Sequence, residues 1–151
     1  FKGEYRYTIE EKGRVNIPAK FRKLLSPESK ETFVITRGLD KCLAVYPLDE
    51  WEKFERKLRS LPPNKKVNRF YVRMLMSNAT EETYDRQGRI NIPTRLLEYA
   101  EIKKDIVIIG ALERIEIWNP EVYQAYLEES GMSFEEVAEN ILFEENNQTD
   151  N

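Results

Sequence analysis

From Tyr5 to Glu10 apolar and polar positions alternate, with Tyr5, Tyr7 and Ile9 set against Arg6, Thr8 and Glu10. A period of two predicts a half-buried strand. Glu11-Lys12-Gly13 then carries turn chemistry, because glycine accepts the positive φ that a tight hairpin often needs. Arg14-Val15-Asn16-Ile17 alternates again and is expected to pair back on the first strand as a hairpin. Pro18 has no N–H to donate, so it ends that strand and suits the start of a helix carrying Phe21, Leu24 and Leu25. Two further strands are expected, Thr32 to Thr36 and Leu43 to Tyr46, joined by a loop with Gly38.

The order then repeats. Lys12 to Pro18 reads KGRVNIP and Gln87 to Pro93 reads QGRINIP, 75 positions on, with five of seven residues identical. Thr83 to Asp85 is expected as the strand before the Gly88 turn. Arg89 to Ile92, Pro93 and a helix with Leu96, Leu97 and Ala100 follow, then strands Ile106 to Ile109 and Ile115 to Trp118. Gly110 matches Gly38 at an offset of 72, so the first copy carries three extra residues, placed in the Ser26 to Glu31 loop.

Each copy leads into a helix. Asp49 with Glu52 reads as a capping box ahead of Trp51, Phe54 and Leu58, and Asn119-Pro120 opens the counterpart with Val122, Tyr123, Tyr126 and Leu127. Leu61-Pro62-Pro63-Asn64 breaks the chain between copies, and Val67 to Met76 predicts another helix. Ser133 with Glu136 caps a last helix striped by Phe134, Val137, Ile141 and Leu142. The polar end, 144–151, is expected to fray.

This reading gives an α+β chain with a mostly β core. Its parts are a first repeat with its helix (1–61), a linker helix (62–79), a second repeat with its helix (80–131) and an acidic helix and tail (132–151). A repeat of about 50 residues rarely holds a sufficient core alone, so the two are expected to pack on one another.

Composition changes the picture at two points. The 151 residues carry a net charge of -3, but residues 1–115 hold all 24 Lys and Arg against 17 acids, a balance of +7. Residues 116–151 hold ten acids and no base, a balance of -10. A basic body with an acidic end points to a polyanion as partner for the body; ordinary charge scatter in a soluble protein is the other reading. Cys42 is the single cysteine, so no intramolecular disulfide forms, which suits a reducing cytoplasm. No signal-type segment opens the sequence and no apolar run is long enough to suggest a membrane span.

Catalysis is not expected. Histidine is absent, and with it the commonest general base and metal ligand. One cysteine cannot build a zinc-type site, so no metal and no cofactor is expected. No phosphate-cradling GxxxxGK[ST] or GxGxxG occurs, which leaves no small-molecule substrate to propose. The acids of the repeat sit beside arginines, which suits ionised anchors better than proton donors.

The opening FKGEYRYTIEEKGRVNIPAKFR and the second-copy DRQGRINIP resemble the MraZ family of bacterial DNA-binding transcriptional regulators of the division and cell-wall gene cluster. The likeness runs over roughly residues 1 to 143. Each half looks like the AbrB/MazE-type swapped-hairpin module, in which two hairpin-containing halves interlock into one small β-barrel. The family carries an Asp-x-x-x-Arg motif in each half; the second copy satisfies it with Asp85 and Arg89, and the first has Glu10 and Arg14. The resemblance implies ring-shaped homo-oligomers, double-stranded DNA as partner, operators of short direct repeats, a cytoplasmic, nucleoid-associated location and presentation of the motif arginines to DNA.

The residues support a nucleic-acid role on their own terms. An arginine directly after a turn glycine projects from a rigid tip, and a two-stranded ribbon fits the major groove. Arg14 (after Gly13) and Arg89 (after Gly88) are the candidate base readers, with Glu10 and Asp85 as their anchors. Lys12, Arg86 and Arg6 are candidate phosphate contacts. The plainer alternative is that both arginines only pair with Glu10 and Asp85 across their own turns. Copy one, the more basic, is expected to contribute more.

Arg56 to Arg73 holds seven bases and no acid, and is either a second phosphate surface or a solvated helical face. The acidic helix could pack on its own chain, seal a subunit interface or dock another protein. Two other function classes stay in view: an antitoxin-like interaction module and a structural ring without a nucleic-acid role.

Overall fold

The computed structural model describes residues 1–149. The first repeat gives strands β1 (Glu4–Thr8) and β2 (Arg14–Asn16), helix α1 (Ala19–Arg22), strands β3 (Thr32–Arg37) and β4 (Leu43–Pro47) and helix α2 (Leu48–Arg59). Helix α3 (Lys66–Ser77) links to the second repeat: β5 (Thr80–Thr83), β6 (Arg89–Asn91), α4 (Thr94–Tyr99), β7 (Asp105–Ala111), β8 (Arg114–Trp118) and α5 (Pro120–Glu129). Helix α6 (Phe134–Thr149) follows. The three extra residues of the first repeat fall in the loop that holds a 3-10 turn at Pro27–Ser29. The strand expected at Thr83–Asp85 lies earlier, at Thr80–Thr83, because Asp85 is drawn into the turn that follows.

The expected pairing of each hairpin on itself is corrected. Strand β1 pairs antiparallel with β7 of the other repeat, Tyr5 opposite Ile108, and β5 pairs with β3, Phe33 opposite Glu82. Strand β2 pairs with its own counterpart β6, Val15 opposite Ile90. Within a repeat the two arms touch at little more than the turn, through a Glu10–Arg14 bridge and a bond from the Asp85 N–H to the Arg89 carbonyl at 3.0 Å. Alternation fixes which face of a strand is buried but not which strand it borders. Here the three-residue arms β2 and β6 are too short to hold β1 and β5, whereas β7 and β3 offer long apolar edges.

The main sheet runs β1-β7-β8-β4-β3-β5, and β2-β6 forms a separate ribbon. With β1 and β5 as free ends the sheet does not close into a barrel; the chain is α+β around one large antiparallel sheet. The ribbon packs on one face of it. Val15, Ile17, Ile90 and Ile92 join Phe33, Ile35, Leu43, Ile108 and Ile117 in a core to which both repeats contribute, as their size required. Burying each such side chain is worth about 1.5–3 kcal/mol, so neither repeat is expected to keep its fold without the other.

On the opposite sheet face Val34 of β3 packs against Trp51 and Leu58 of α2 and Leu75 of α3, and Val107 and Trp118 lie beneath α5. Strand β3 is therefore buried on both sides, which is why its sequence is a continuous run and not an alternation. The Thr36 hydroxyl donates to the Leu75 carbonyl at 2.9 Å and pins α3 to the sheet.

The caps expected at Asn119 and Ser133 form: Asn119 Oδ1 accepts from the Glu121 N–H at 2.8 Å, and Ser133 Oγ from the Glu136 N–H at 3.1 Å. The Asp49 capping box does not. Helix α2 already begins at Leu48, so Asp49 lies inside the first turn, and its Oδ2 instead accepts from the Ser26 hydroxyl at 2.7 Å. The end expected to fray continues α6 to Thr149, while residues 150 and 151 lie outside the described residues. The α6 stripe does not pack on its own chain: Phe134 is 83% exposed and Ile141 60%.

Candidate nucleic-acid interface

The ribbon β2-β6 owes its outer face to simple alternation. Val15 and Ile90 point into the core, so Arg14, Asn16, Arg89 and Asn91 are all turned the other way. The antiparallel register sets Arg14 across from Asn91 and Asn16 across from Arg89. Two turns flank this patch, and they hold each other. The Ile17 N–H donates to the Gly88 carbonyl and the Ile92 N–H to the Gly13 carbonyl, both at 2.9 Å. The bonds are equivalent in the two repeats, so a local two-fold relates the tips.

The side chains break that symmetry. In the second tip Asp85 Oδ1 accepts from the Gln87 and Arg89 N–H groups at 2.9 and 3.0 Å, closing a turn completed by the Gly88 N–H on the Asp85 carbonyl at 2.9 Å. The glutamate at the corresponding first-repeat position does not close this turn. There Lys12 takes a left-handed φ of 65°, unusual for a side chain with a Cβ, followed by Gly13 at 77°.

Glu10 turns instead to the other repeat. Its Oε2 accepts from Arg89 Nη1 at 2.8 Å, while Asp85 Oδ2 accepts from Arg89 Nε at 2.9 Å. Two acids from two repeats thus hold one guanidinium, whose side chain is only 19% exposed. The expected Glu10–Arg14 side-chain pair is corrected: Arg14 Nε donates to the Glu11 carbonyl at 3.3 Å, and both its Nη groups are without a protein partner among the described residues.

The electrostatics follow the geometry. The Arg89 backbone N–H bonded to Asp85, helped by the Arg89 side chain and the Gln87 N–H against partial desolvation, holds the Asp85 carboxyl below its ordinary range. The hydrogen bond it donates to Glu10, then that to Asp85, raises Arg89 further above its already high value. Both groups are ionised at any physiological pH, which suits a fixed electrostatic anchor.

Lys12 and Arg86 are exposed at the two tips beside the ribbon. Arg6 is not brought to them. Its register partner is Val107, so it lies on the far face of the sheet, beside Glu4 at 3.7 Å. The basic run Arg56–Arg73 is on that far face too, since α2 and α3 pack on Val34 and Leu75. Part of it is already engaged, Arg59 with Glu55 at 3.7 Å and Arg69 with the Pro63 carbonyl at 3.0 Å, as a solvated helical face would be.

Arg22 was not singled out by the sequence. It donates to the Ile17 carbonyl at 3.0 Å, lies over the Tyr84 ring at 5.7 Å and packs under the second tip, where a Cβ on Gly88 would run into its guanidinium. Its counterpart, 75 positions on, is Leu97, which abuts Gly13. Nothing in a helical spacing marks a cation as part of a turn on the other repeat. Among the described residues no cluster of His, Cys, Asp or Glu could hold a metal ion, and no helix is long and apolar enough to cross a membrane.

The chain matches the family described as "MraZ protein, putative antitoxin-like" twice, over residues 1–74 and 75–144. It is 51% identical over 138 residues to the protein named "Transcriptional regulator MraZ" of Halothermothrix orenii, covering 91% of this chain and 94% of that one. To the protein of the same name from Caldanaerobacter subterraneus subsp. tengcongensis it is 50% identical over 139 residues, 92% of this chain and 94% of the relative. Both repeats and nearly the whole length are shared, and the chain belongs to the MraZ family.

Proposed function

We propose that this protein is a sequence-specific DNA-binding transcriptional regulator acting on short direct repeats upstream of the division and cell-wall gene cluster. The observation that carries the reading is the outer face of β2-β6, where Arg14 offers an unengaged fork and Arg89 is posed by two acids. A ribbon of this width enters the major groove, and an arginine fork bonds guanine O6 and N7 together, a discrimination worth about 1–3 kcal/mol. Lys12 and Arg86 contact phosphates on either side, which positions the ribbon without specifying sequence. The names of the two relatives support the regulatory role.

The exchange of strands between repeats supports a swapped-hairpin arrangement, with parts at 1–61, 62–79, 80–131 and 132–151. A single ribbon makes few contacts, so the operating form is a homo-oligomeric ring that sets several ribbons on successive operator repeats and gains by effective concentration. Exposed apolar residues on α3 and α6, among them Val67, Phe70 and Phe134, supply surface for such assembly. The place of action is the nucleoid, in the cytoplasm.

The test is a titration of labelled DNA from upstream of the protein's own gene, with unrelated DNA as control, at several salt concentrations. Wild type binds the first tightly and with a steep salt dependence, and the Arg14→Ala/Arg89→Ala double variant does not. Equal binding by the double variant would move the contacts to Arg56–Arg73; no preference by wild type would end the regulator reading.

One observation favours a second reading, an antitoxin-like module. Helix α6 exposes an apolar stripe among acids with no base, the kind of segment that occupies a basic partner protein. Removal of residues 132–151 separates the two, since a DNA regulator keeps operator binding and a capture module loses its function.

A further inference from the structure

Asn16 and Asn91 occupy equivalent positions in the two repeats, each two residues after the tip arginine on a short strand. Asparagine is a poor strand former, because its side chain competes with the backbone for hydrogen bonds. Both are exposed, and neither side-chain amide bonds to another group of the described protein. Neither packs in the core, caps a helix or closes a turn. A local preference broken twice at matching positions, without a structural return, marks a functional surface.

The neighbours say what that surface reads. Asn16 stands across the ribbon from Arg89 and Asn91 across from Arg14, so the outer face is a square of two arginines and two asparagines on diagonals. Arginine matches the two acceptors of guanine, and the asparagine amide, one donor and one acceptor, matches N6 and N7 of adenine. Residues two apart on a strand are separated by about 6.6 Å, close to two base-pair rises of about 3.4 Å. Each Arg-x-Asn row therefore spans the major-groove edges of a short run of bases, with the reading groups in step with the stack.

Building on the DNA-binding reading above, we propose that Asn16 and Asn91 are specificity-determining residues that each contact an adenine edge in the operator. The arginines supply affinity and guanine recognition, and the asparagines distinguish the operator from other guanine-bearing DNA. The rows are not equivalent. Arg89 is held by the carboxylates of Glu10 and Asp85 while Arg14 bonds only the Glu11 carbonyl through Nε among the described residues, so the element they read is asymmetric and not a palindrome.

The test uses the full chain, with Asn16→Thr and Asn91→Thr singly and together. Threonine keeps or improves strand propensity and lacks the amide, so a folding defect is not the expected outcome. Binding is measured by fluorescence anisotropy on DNA from upstream of the protein's own gene and on shuffled DNA of equal composition, over a salt series. Each substitution lowers the ratio of operator to shuffled affinity about tenfold, leaving affinity for shuffled DNA and the salt slope unchanged.

As a second readout, 7-deazaadenine in the operator, which removes the N7 acceptor, weakens wild type but not the double variant. An unchanged ratio, or a loss equal on both DNAs, overturns the asparagine assignment and leaves the regulator reading standing. A wild type that does not prefer the operator at all removes both together.

Discussion

Glu10 of the first repeat and Arg89 of the second are 79 residues apart and joined by a 2.8 Å hydrogen bond from guanidinium to carboxylate. The extra methylene of glutamate over aspartate lets that carboxylate leave its own turn and reach across the local two-fold. One tip thereby gains an anchored arginine and the other a free one. The two arginines look interchangeable in the repeat but have different work to do: Arg89 is part of the joint between the halves, and Arg14 is available to a ligand.

The first prediction separates these roles. Arg14→Ala lowers operator affinity about tenfold or more while leaving the thermal midpoint within the range of an ordinary surface change, about 0.5 kcal/mol. Arg14→Lys does not restore binding, because an ammonium cannot make the paired contact. Arg89→Ala lowers both operator affinity and the thermal midpoint, since it leaves Glu10 and Asp85 facing each other without their cation. Anisotropy titrations and thermal melts on the same preparations check this; equal melting losses for the two variants would contradict the asymmetry.

The second concerns pH. The folded state holds the Asp85 carboxyl below its ordinary value of 3.8, so the unfolded chain takes up that proton more readily. Its stabilising contribution is complete above that value and is lost as pH falls through the lower folded one. The stability difference between wild type and Asp85→Asn, read from urea midpoints, is therefore constant from neutral pH to about 5 and shrinks below about 4. A difference that grew on acidification would reverse the sign and refute the assignment.

Much of this arrangement could be read from residue order. Alternation in Tyr5–Glu10 and Arg14–Ile17 gave the strands, Gly13 and Gly88 the tips, and Asn119 and Ser133 the starts of two helices. What alternation cannot carry is the identity of a strand's neighbour, so the exchange of β1 and β5 between repeats was not legible, and with it the reach of Glu10 to Arg89. Arg6 alternates like a tip residue but lies one sheet face away, a distinction that only the β1–β7 register makes. Arg22 and the Asn16/Asn91 pair carried no signal as single residues. Their meaning comes from facing the other half of the molecule.

The third prediction tests the tips as rigid mounts. Gly13 and Gly88 have φ of 77° and 81°, so alanine costs about 1 kcal/mol or more at either site before any clash. At Gly13 a Cβ would lie 2.6 Å from the Ile92 carbonyl oxygen, which is backbone and is held by the bonds between the tips. At Gly88 the obstacle is the end of the Arg22 side chain, which can move. Denaturant titrations of Gly13→Ala therefore show the larger loss. Gly88→Ala combined with Arg22→Ala loses less than the sum of the two singles, while Gly13→Ala combined with Arg22→Ala is additive.

The fourth uses the one thiol. Cys42 is buried beside Val107 and Trp118, and burial, with smaller contributions from Glu116 and Asp40 against Arg114, pushes its pKa up to about 12. A thiol that is neither accessible nor ionised near neutral pH reacts with an alkylating reagent only after the sheet opens. Labelling at pH 8 is expected to be at least about a thousandfold slower in the folded protein than in denaturant. Rapid labelling without loss of fold would place this end of β4 outside the stable core.

The last prediction concerns α6. Among the described residues none of those in 134–144 belongs to a buried cluster, and its stripe of Phe134, Ile141 and Leu142 is exposed. Its removal with the residues before and after it, 132–151, therefore leaves the unfolding free energy of the single chain unchanged to within about 0.5 kcal/mol. It also takes six acidic side chains and no base from the chain (Glu135, Glu136, Glu139, Glu144, Glu145 and Asp150), so electrostatic attraction to DNA rises or stays the same. Retained operator preference together with a smaller particle by light scattering assigns α6 to assembly of the homo-oligomer. Retained particle size with lost operator preference would instead tie α6 to the ribbon, and a variant that keeps both leaves α6 to a partner protein, the role the antitoxin-like reading gives it.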